Sequence, residues 1–156
     1  MVEEQYDVII IGTGSAGYPA AIYTARYNMK TLVIGALDGG TLTEAHKVEN
    51  YPGFTSIPGT ELMLKFREQA EHLGVEIVFD MVNNVEQTAQ GFAVHTDSNG
   101  TFHGRSVIIA AGSTKRKLNI PGEKEFASRG VSYCATCDAA FFRNKIVGVV
   151  GGNDGA

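Results

Sequence analysis

The sequence predicts an α/β protein in three layers: a parallel sheet with helices packed on it, a small antiparallel meander, and the opening of a second unit of the same kind. Three observations predict it. Two short apolar runs, Tyr6 to Ile11 and Lys145 to Val150, each lead straight into a glycine cluster, the pattern of a parallel strand covered on both faces. A segment of helical period separates the first run from a second strand. Four short segments of period two then follow in the middle of the chain.

Taken in order, "YDVIII" reads as the first strand, and Gly12-Thr13-Gly14-Ser15-Ala16-Gly17 follows at once. "YPAAIYTARYN" supplies small and apolar residues at helical spacing, and Lys30 to Ile34 forms the second strand. Gly39-Gly40 and "TLTEAHKVENYPGF" make a loop-rich connection punctuated by Pro52 and Gly53. Thr60 is the expected N-cap of a helix running to Leu73, with Leu62, Phe66 and Leu73 on one face and Gly74 as its stop. "VEIVF", "NVEQTA", "FAVHTD" and "TFHG" alternate and are separated by turn signals at Gln90-Gly91 and Ser98-Asn99-Gly100, so all four are assigned to the meander. Ser106 to Ala111 returns to a buried-strand pattern that stops at Gly112. Residues 113-130 are polar, contain Pro121-Gly122, and read as a linker. The expected domains are therefore 1-112, the linker 113-130, and the start of a second domain at 131-156. Tyr23, Tyr27, Met63, Phe66, Met81, Phe141 and Phe142 are expected to pack in the core.

Charge and composition exclude several function classes. Net charge is −4, and the longest basic run is Lys115-Arg116-Lys117, so no field exists to hold a nucleic acid or an anionic membrane. The N-terminus "MVEEQYDVIIIG" carries acids where a secretory signal carries positive charge, and no apolar stretch approaches the ~20 residues that span a bilayer. A soluble, cytoplasmic protein is expected.

The turn after the first strand has the G-x-G-x-x-G spacing in the context that gives it meaning, a buried strand before it and a helix after it. Gly12 permits the tight turn, Gly14 lets a pyrophosphate approach the backbone, and Gly17 lets helix and strand pack closely. The anion then meets the positive end of the helix dipole. This is the signature of a Rossmann-like dinucleotide-binding unit. The acid expected ~20 residues on, for a ribose hydroxyl, is absent from the strand end, where Gly35 sits; Asp38 is the nearest substitute, and both are placed in the cofactor set. Pro19 is expected to remove a donor and disturb the helix.

Cys134 and Cys137 are the only cysteines. Their C-x-x-C spacing brings two sulfurs within disulfide reach when the segment turns or begins a helix. Zinc needs about four ligands, and beyond this pair only the scattered His46, His72, His95 and His103 remain, so no metal site is expected. An inert packing pair stays open, since free cysteine behaves as a small hydrophobe, but redox exchange is the favoured reading. Asp138 could move a proton to or from a leaving thiol if burial raises its pKa; helix capping is its bland alternative.

With "GTGSAGYPAAIYTAR", "GGTLTEAHKVENYPGF", "IIAAGSTKRKLNIPGE", "GVSYCATCD" and "VVGGNDGA" in that order, essentially the whole chain resembles bacterial-type, low-molecular-weight thioredoxin reductase. The resemblance implies a Rossmann-like three-layer FAD-binding domain followed by the start of an NADPH domain that carries the redox pair. It also implies thioredoxin as the partner and a homodimer for the full-length family member. Gly12, Gly14, Ser15, Ala16 and Gly17 would surround the FAD pyrophosphate, with Gly39, Gly40, Thr41, Leu42, Thr43 and Asn50 near the ribityl and flavin end. Val82 would lie by the adenine, and Ala110, Ala111 and Gly112 would close over the cofactor. Gly151 and Gly152 would open the NADPH turn. Cys137 would face the flavin, Cys134 would attack the partner's disulfide, and Asp138 would be the acid and base.

The chain departs from the family pattern at several positions. Thr41 replaces the usual glutamine, Ala110-Ala111-Gly112 the usual "ATG", and Ala139 the usual glycine after "CATCD". Asn153 occupies the middle glycine of the second turn, where a side chain would crowd a pyrophosphate. The chain is expected to be the N-terminal part of such a reductase, and to turn over poorly unless the remainder is supplied. The competing expectations are an NADPH-independent variant, an inactive flavin-binding module, and the related flavoprotein that reduces a peroxidase.

Overall fold

The computed structural model describes residues 5–127 and 129–152, and within them leaves aside the side chains of Thr136 and Cys137. The chain divides into two compact units, Met1–Gly112 and Ser113–Ala156.

In the first unit, β1 (Gln5–Ile11) leads through the glycine turn into α1 (Gly17–Arg26) and then β2 (Thr31–Ile34). A 3-10 turn at Gly40–Glu44 and α2 (Gly59–His72) connect to β3 (Glu76–Val78), and β4 (Val82–Thr88), β5 (Gly91–Thr96) and β6 (Thr101–Ile109) complete one six-stranded sheet. Its order is β3-β2-β1-β6-β5-β4. β1 lies parallel to both β2 and β6, and β2 parallel to β3, whereas β4-β5 and β5-β6 are antiparallel.

The alternation of β1 and β2 sorts their side chains to two faces. Val8, Ile10 and Val33 join Tyr18 and Ala21 of α1 and Leu62, Met63, Phe66 and Ala70 of α2 in one buried cluster. Ile9, Leu32 and Ile34 join Val94 of β5 in a second, with Val82, Val85, Phe102 and Val107 packed against it. A β5 residue shares a cluster with β2 although β1 and β6 stand between them in the sheet, so the antiparallel end covers the face that the helices leave bare.

Several expectations are corrected. "VEIVF" is not part of the meander: its ordered part, β3, pairs parallel with β2 through Val33 and Ile77, because α2 returns the chain to the sheet edge as a crossover helix does. "TFHG" and "SVII" belong to one strand, whose first half pairs antiparallel with β5 while His103 to Ile109 pair parallel with β1. The N-cap of α2 is Pro58, not Thr60. The loop fixes that start, since the Gly59 N–H donates to Ala45 O at 2.8 Å and a Cβ on Gly59 would lie 2.0 Å from Leu42 O. Pro19 leaves α1 uninterrupted: it stands in the first turn of the helix, where proline is tolerated. Of the aromatics and methionines expected in the core, Met63 and Phe66 are buried, whereas Tyr23, Tyr27, Met81 and Phe141 are exposed. Tyr23 and Tyr27 lie four residues apart, on the stripe of α1 opposite Tyr18 and Ala21.

The second unit is short of regular structure. A single helical turn, α3 (Ala135–Asp138), continues as a 3-10 turn at Ala139–Phe142. The expected strand at Lys145 to Val150 does not form, and Ile146, Val147, Val149 and Val150 are exposed. An apolar run becomes a buried strand only where neighbours pair with its backbone, and none of the described residues of this unit does so.

Candidate functional site: a glycine cradle and a disulfide turn

The loops after β1, β2 and β6 meet at the carboxyl ends of the parallel strands. There the chain leaves β1 towards β2 on one side while β6 lies on the other, the crevice where open α/β sheets bind ligands. Backbone hydrogen bonds lock the loops together. The Gly12 N–H donates to Ile34 O at 2.7 Å, the Ala110 N–H to Ile11 O at 2.7 Å, and the Gly39 N–H to Thr13 O at 2.9 Å. The buried Thr13 hydroxyl adds a bond to Leu37 O at 2.7 Å.

This closeness is what demands glycine. A Cβ on Gly17 would lie 1.8 Å from Gly12 O, and one on Gly12 would lie 2.1 Å from Ala110 O, with φ at +121°. Both positions are closed to any other residue. Gly14 differs: its Cβ would meet nothing nearer than 3.8 Å, the Cα of Gly40. The bare backbone at Gly14 therefore serves access from outside rather than packing, as a pyrophosphate requires. Ser15 and Ala16 are exposed beside it, and α1 begins at Gly17 with no side chain capping its first N–H groups. The cradle thus presents free donors and the positive end of a ten-residue helix to an anion. Gly14, Ser15, Ala16 and Gly17 could hold the diphosphate of FAD.

The other expected residues distribute around this cradle. Gly39 and Gly40 have φ of +78° and +59°, and they carry the chain into the 3-10 turn that contains Thr41, Leu42 and Thr43. The Thr43 hydroxyl donates to Gly40 O at 2.8 Å. Gly35 follows β2, where a Cβ would lie 2.6 Å from Thr13 Oγ1, so it fits the turn together rather than reaching outward. Ala110, Ala111 and Gly112 follow β6, with Ala111 and Gly112 exposed. Asn50 is exposed on the loop before α2, and Val82 packs in the second cluster at the start of β4.

Asp38 is engaged from within the chain. Its Oδ1 accepts from the Tyr18 hydroxyl at 2.5 Å, and its Oδ2 from Arg67 at 2.9 Å. Burial first, and then the bond to Asp38, push the Tyr18 phenol well above its ordinary value. Arg67 also pairs with Glu71 at 2.8 Å. Sequence reasoning missed this clamp, which ties α1 and α2 to the loop after β2; the acid was legible, but not the tyrosine and arginine that occupy it.

Asp80 was missed as well. One oxygen accepts from the Ser98 N–H, the Asn99 N–H and the Asn99 side chain at 2.8 to 3.0 Å. Burial works against its charge, yet these bonds together hold its carboxyl far below the usual range. The only signal in the sequence was Ser98-Asn99-Gly100, read as a turn without its anchor.

In the second unit Cys134 is disulfide-bonded and stands immediately before α3. The sequence holds one other cysteine, Cys137, whose side chain lies outside the described set. The Cys134 N–H donates to Ser132 Oγ at 3.1 Å, and the Ser132 hydroxyl donates to Asp138 Oδ2 at 2.6 Å. Asp138 makes no capping hydrogen bond with its side chain, which removes the bland reading of this residue. Glu123, 5% exposed, closes the preceding loop. It accepts from the Tyr133 hydroxyl at 2.5 Å and from the Leu118 and Asn119 N–H groups, bonds that hold its carboxyl below the ordinary value. Lys117 lies over the Tyr133 ring, 3.5 Å from its centre. Gly151 has φ of +131°, as the first residue of a tight glycine turn would. Asn153 lies outside the described residues.

Among the described residues no group of three or more His, Cys, Asp or Glu side chains is placed to hold a metal ion, and no helix is long and apolar enough to cross a membrane.

An anion cradle at the carboxyl ends of parallel strands, followed in the same chain by a cysteine held in a disulfide turn, defines the class of nucleotide-dependent disulfide oxidoreductases. Comparison with known proteins agrees. The chain belongs to the pyridine nucleotide-disulphide oxidoreductase family, whose model matches residues 6–154. It is 48% identical over 155 residues to a Bacillus subtilis protein named thioredoxin reductase, covering 99% of this chain and 49% of that one. A crystal structure of Lactococcus lactis thioredoxin reductase superposes with a TM-score of 0.76 at 48% identity, over 89% of this chain and 46% of that chain. A ferredoxin-flavin thioredoxin reductase from Clostridium acetobutylicum gives a TM-score of 0.65 at 38% identity, over 90% and 49% of the two chains. The chain thus spans about half the length of the relatives it matches.

Proposed function

We propose that this chain supplies the flavin-binding and dithiol parts of a flavoprotein disulfide reductase that passes electrons from NADPH, through FAD and the Cys134/Cys137 pair, to a thioredoxin disulfide. The observation that carries the reading is the open backbone at Gly14 in a turn otherwise closed by contact. Gly12 and Gly17 hold its shape, and Gly14, Ser15 and Ala16 offer N–H groups to the cofactor diphosphate. Gly39 to Thr43, Asn50 and Ala110 to Gly112 flank the remainder of the cofactor. Bound FAD supplies two-electron chemistry that can accept a hydride and reduce a disulfide. Cys134 then exchanges with the partner's disulfide as a thiolate, and Asp138 takes and returns the proton.

In this proposal the reductase works in the cytoplasm as a homodimer, with one domain spanning 1-112, a linker at 113-130 and a second domain beginning at 131 around the Cys134/Cys137 pair. Gly151 and Gly152 begin the turn that receives NADPH.

The experiment is anaerobic titration of the flavin-loaded protein with dithionite. Two electrons should reduce the flavin and two more the disulfide, with two thiols appearing in step. A protein that retains no flavin after desalting, or that takes up only two electrons, would overturn the reading.

A second electron source is favoured by Asn153, which replaces the middle glycine of the second turn, and by the similarity to a ferredoxin-flavin enzyme. Flavin that NADPH leaves oxidised, while reduced ferredoxin bleaches it, would assign that source.

A further inference from the structure

Three residues around the disulfide share one hydroxyl. Ser132 Oγ accepts from the Cys134 N–H at 3.1 Å and donates to Asp138 Oδ2 at 2.6 Å, with Cys134 O a longer second acceptor at 3.3 Å. The Cys134 carbonyl in turn accepts from the Asp138 N–H at 3.0 Å. The backbone of the sulfur-bearing residue and the carboxylate six positions after Ser132 are therefore tied by a closed ring of bonds. No other hydrogen bond to the Asp138 carboxylate is recorded among the described residues.

We propose that Ser132 is a positioning residue of the disulfide turn, its hydroxyl aiming the Asp138 carboxyl for proton exchange with the sulfurs and referencing that aim to the Cys134 backbone. The proposal rests on the proton-transfer role given to Asp138 above. A carboxyl on a freely rotating side chain samples several staggered rotamers; one anchored by a short bond holds a single geometry, which general acid catalysis requires. Serine suits the position because one hydroxyl accepts and donates at once. Alanine would do neither.

Opening of the disulfide by dithiothreitol isolates this step from flavin chemistry. A dithiothreitol thiolate attacks one sulfur, the S–S bond breaks, and the leaving thiolate takes a proton. The second dithiothreitol thiol then loses its proton and displaces the remaining protein sulfur as the reagent closes its ring. Two electrons and two protons pass from reagent to protein.

The rate of thiol release would be measured in the whole chain for Ser132→Ala, Ser132→Thr, Asp138→Ala and the Ser132→Ala/Asp138→Ala double variant. Ser132→Ala should slow opening roughly tenfold, a fraction of what a general acid contributes. Ser132→Thr, which keeps the hydroxyl, should restore it. In the Asp138→Ala background the serine substitution should have no further effect. An unchanged rate in Ser132→Ala, failure of threonine to rescue, or a full serine effect without Asp138 would each overturn the proposal. Loss of flavin binding or of the four-electron uptake would instead strike the proposed function, since opening by dithiothreitol needs no flavin.

Discussion

At the scale of single residues, the glycines of the first turn do different work although the sequence writes them alike. Gly17 and Gly12 are excluded volumes, and Gly14 is a window. Gly17→Ala puts a methyl group 1.8 Å from Gly12 O, so turn and helix must separate. We expect a loss of about 2 kcal/mol or more, read by thermal unfolding, with no flavin retained after desalting. Gly14→Ala meets nothing closer than 3.8 Å; it should unfold near the parent temperature and lose flavin all the same. Asp80 is a residue-scale anchor of another kind. Because folding holds its carboxyl below the ordinary value, its contribution to stability is complete above the unfolded value of about 3.9 and is lost as the pH falls below it. Asp80→Asn should therefore flatten the acid limb of a plot of unfolding midpoint against pH below about 4 and leave it unchanged in slope above that.

At the scale of elements, α2 shows what periodicity can and cannot say. Of its expected apolar stripe, Leu62 and Phe66 are buried against α1 and the sheet, whereas Leu73 is the half-buried C-cap and Ala70 takes the place in the cluster. Its start was not legible, because the Gly59 backbone is held by Ala45 O from a preceding loop, a contact between segments that no local propensity encodes. Leu62 is 1% exposed, and Leu62→Ala should cost about 3 kcal/mol, since the cavity would open between helix and sheet where neither can collapse. Urea unfolding of the two proteins would measure it. β6 teaches a related lesson. One strand serves an antiparallel neighbour and a parallel one, so its sequence alternates in one part and runs apolar in another, and it reads as two.

At the scale of the whole molecule, the chain is two units joined at Gly112 and Ser113, and Lys115, Arg116 and Lys117 stand exposed just beyond that point in chain without regular structure. Brief trypsin treatment should cut first at these three residues, leaving the first unit intact by mass spectrometry; early cleavage within β1 to β6 would contradict the division. What the sequence by itself determined was the chemistry that local spacing can hold: strand, glycine turn and helix in succession, and two cysteines with an acid beside them. Each is written in consecutive residues because the turn and the sulfur pair are built by consecutive residues. Only the tertiary structure decided that β3 joins the parallel sheet, that Asp38 is clamped by Tyr18 and Arg67, that Asp80 anchors a distant hairpin turn, and that the apolar run at Lys145 to Val150 stays unpaired. Those outcomes depend on which segments approach one another across the chain, where backbone donors and buried charges find partners, and sequence spacing carries no record of that approach.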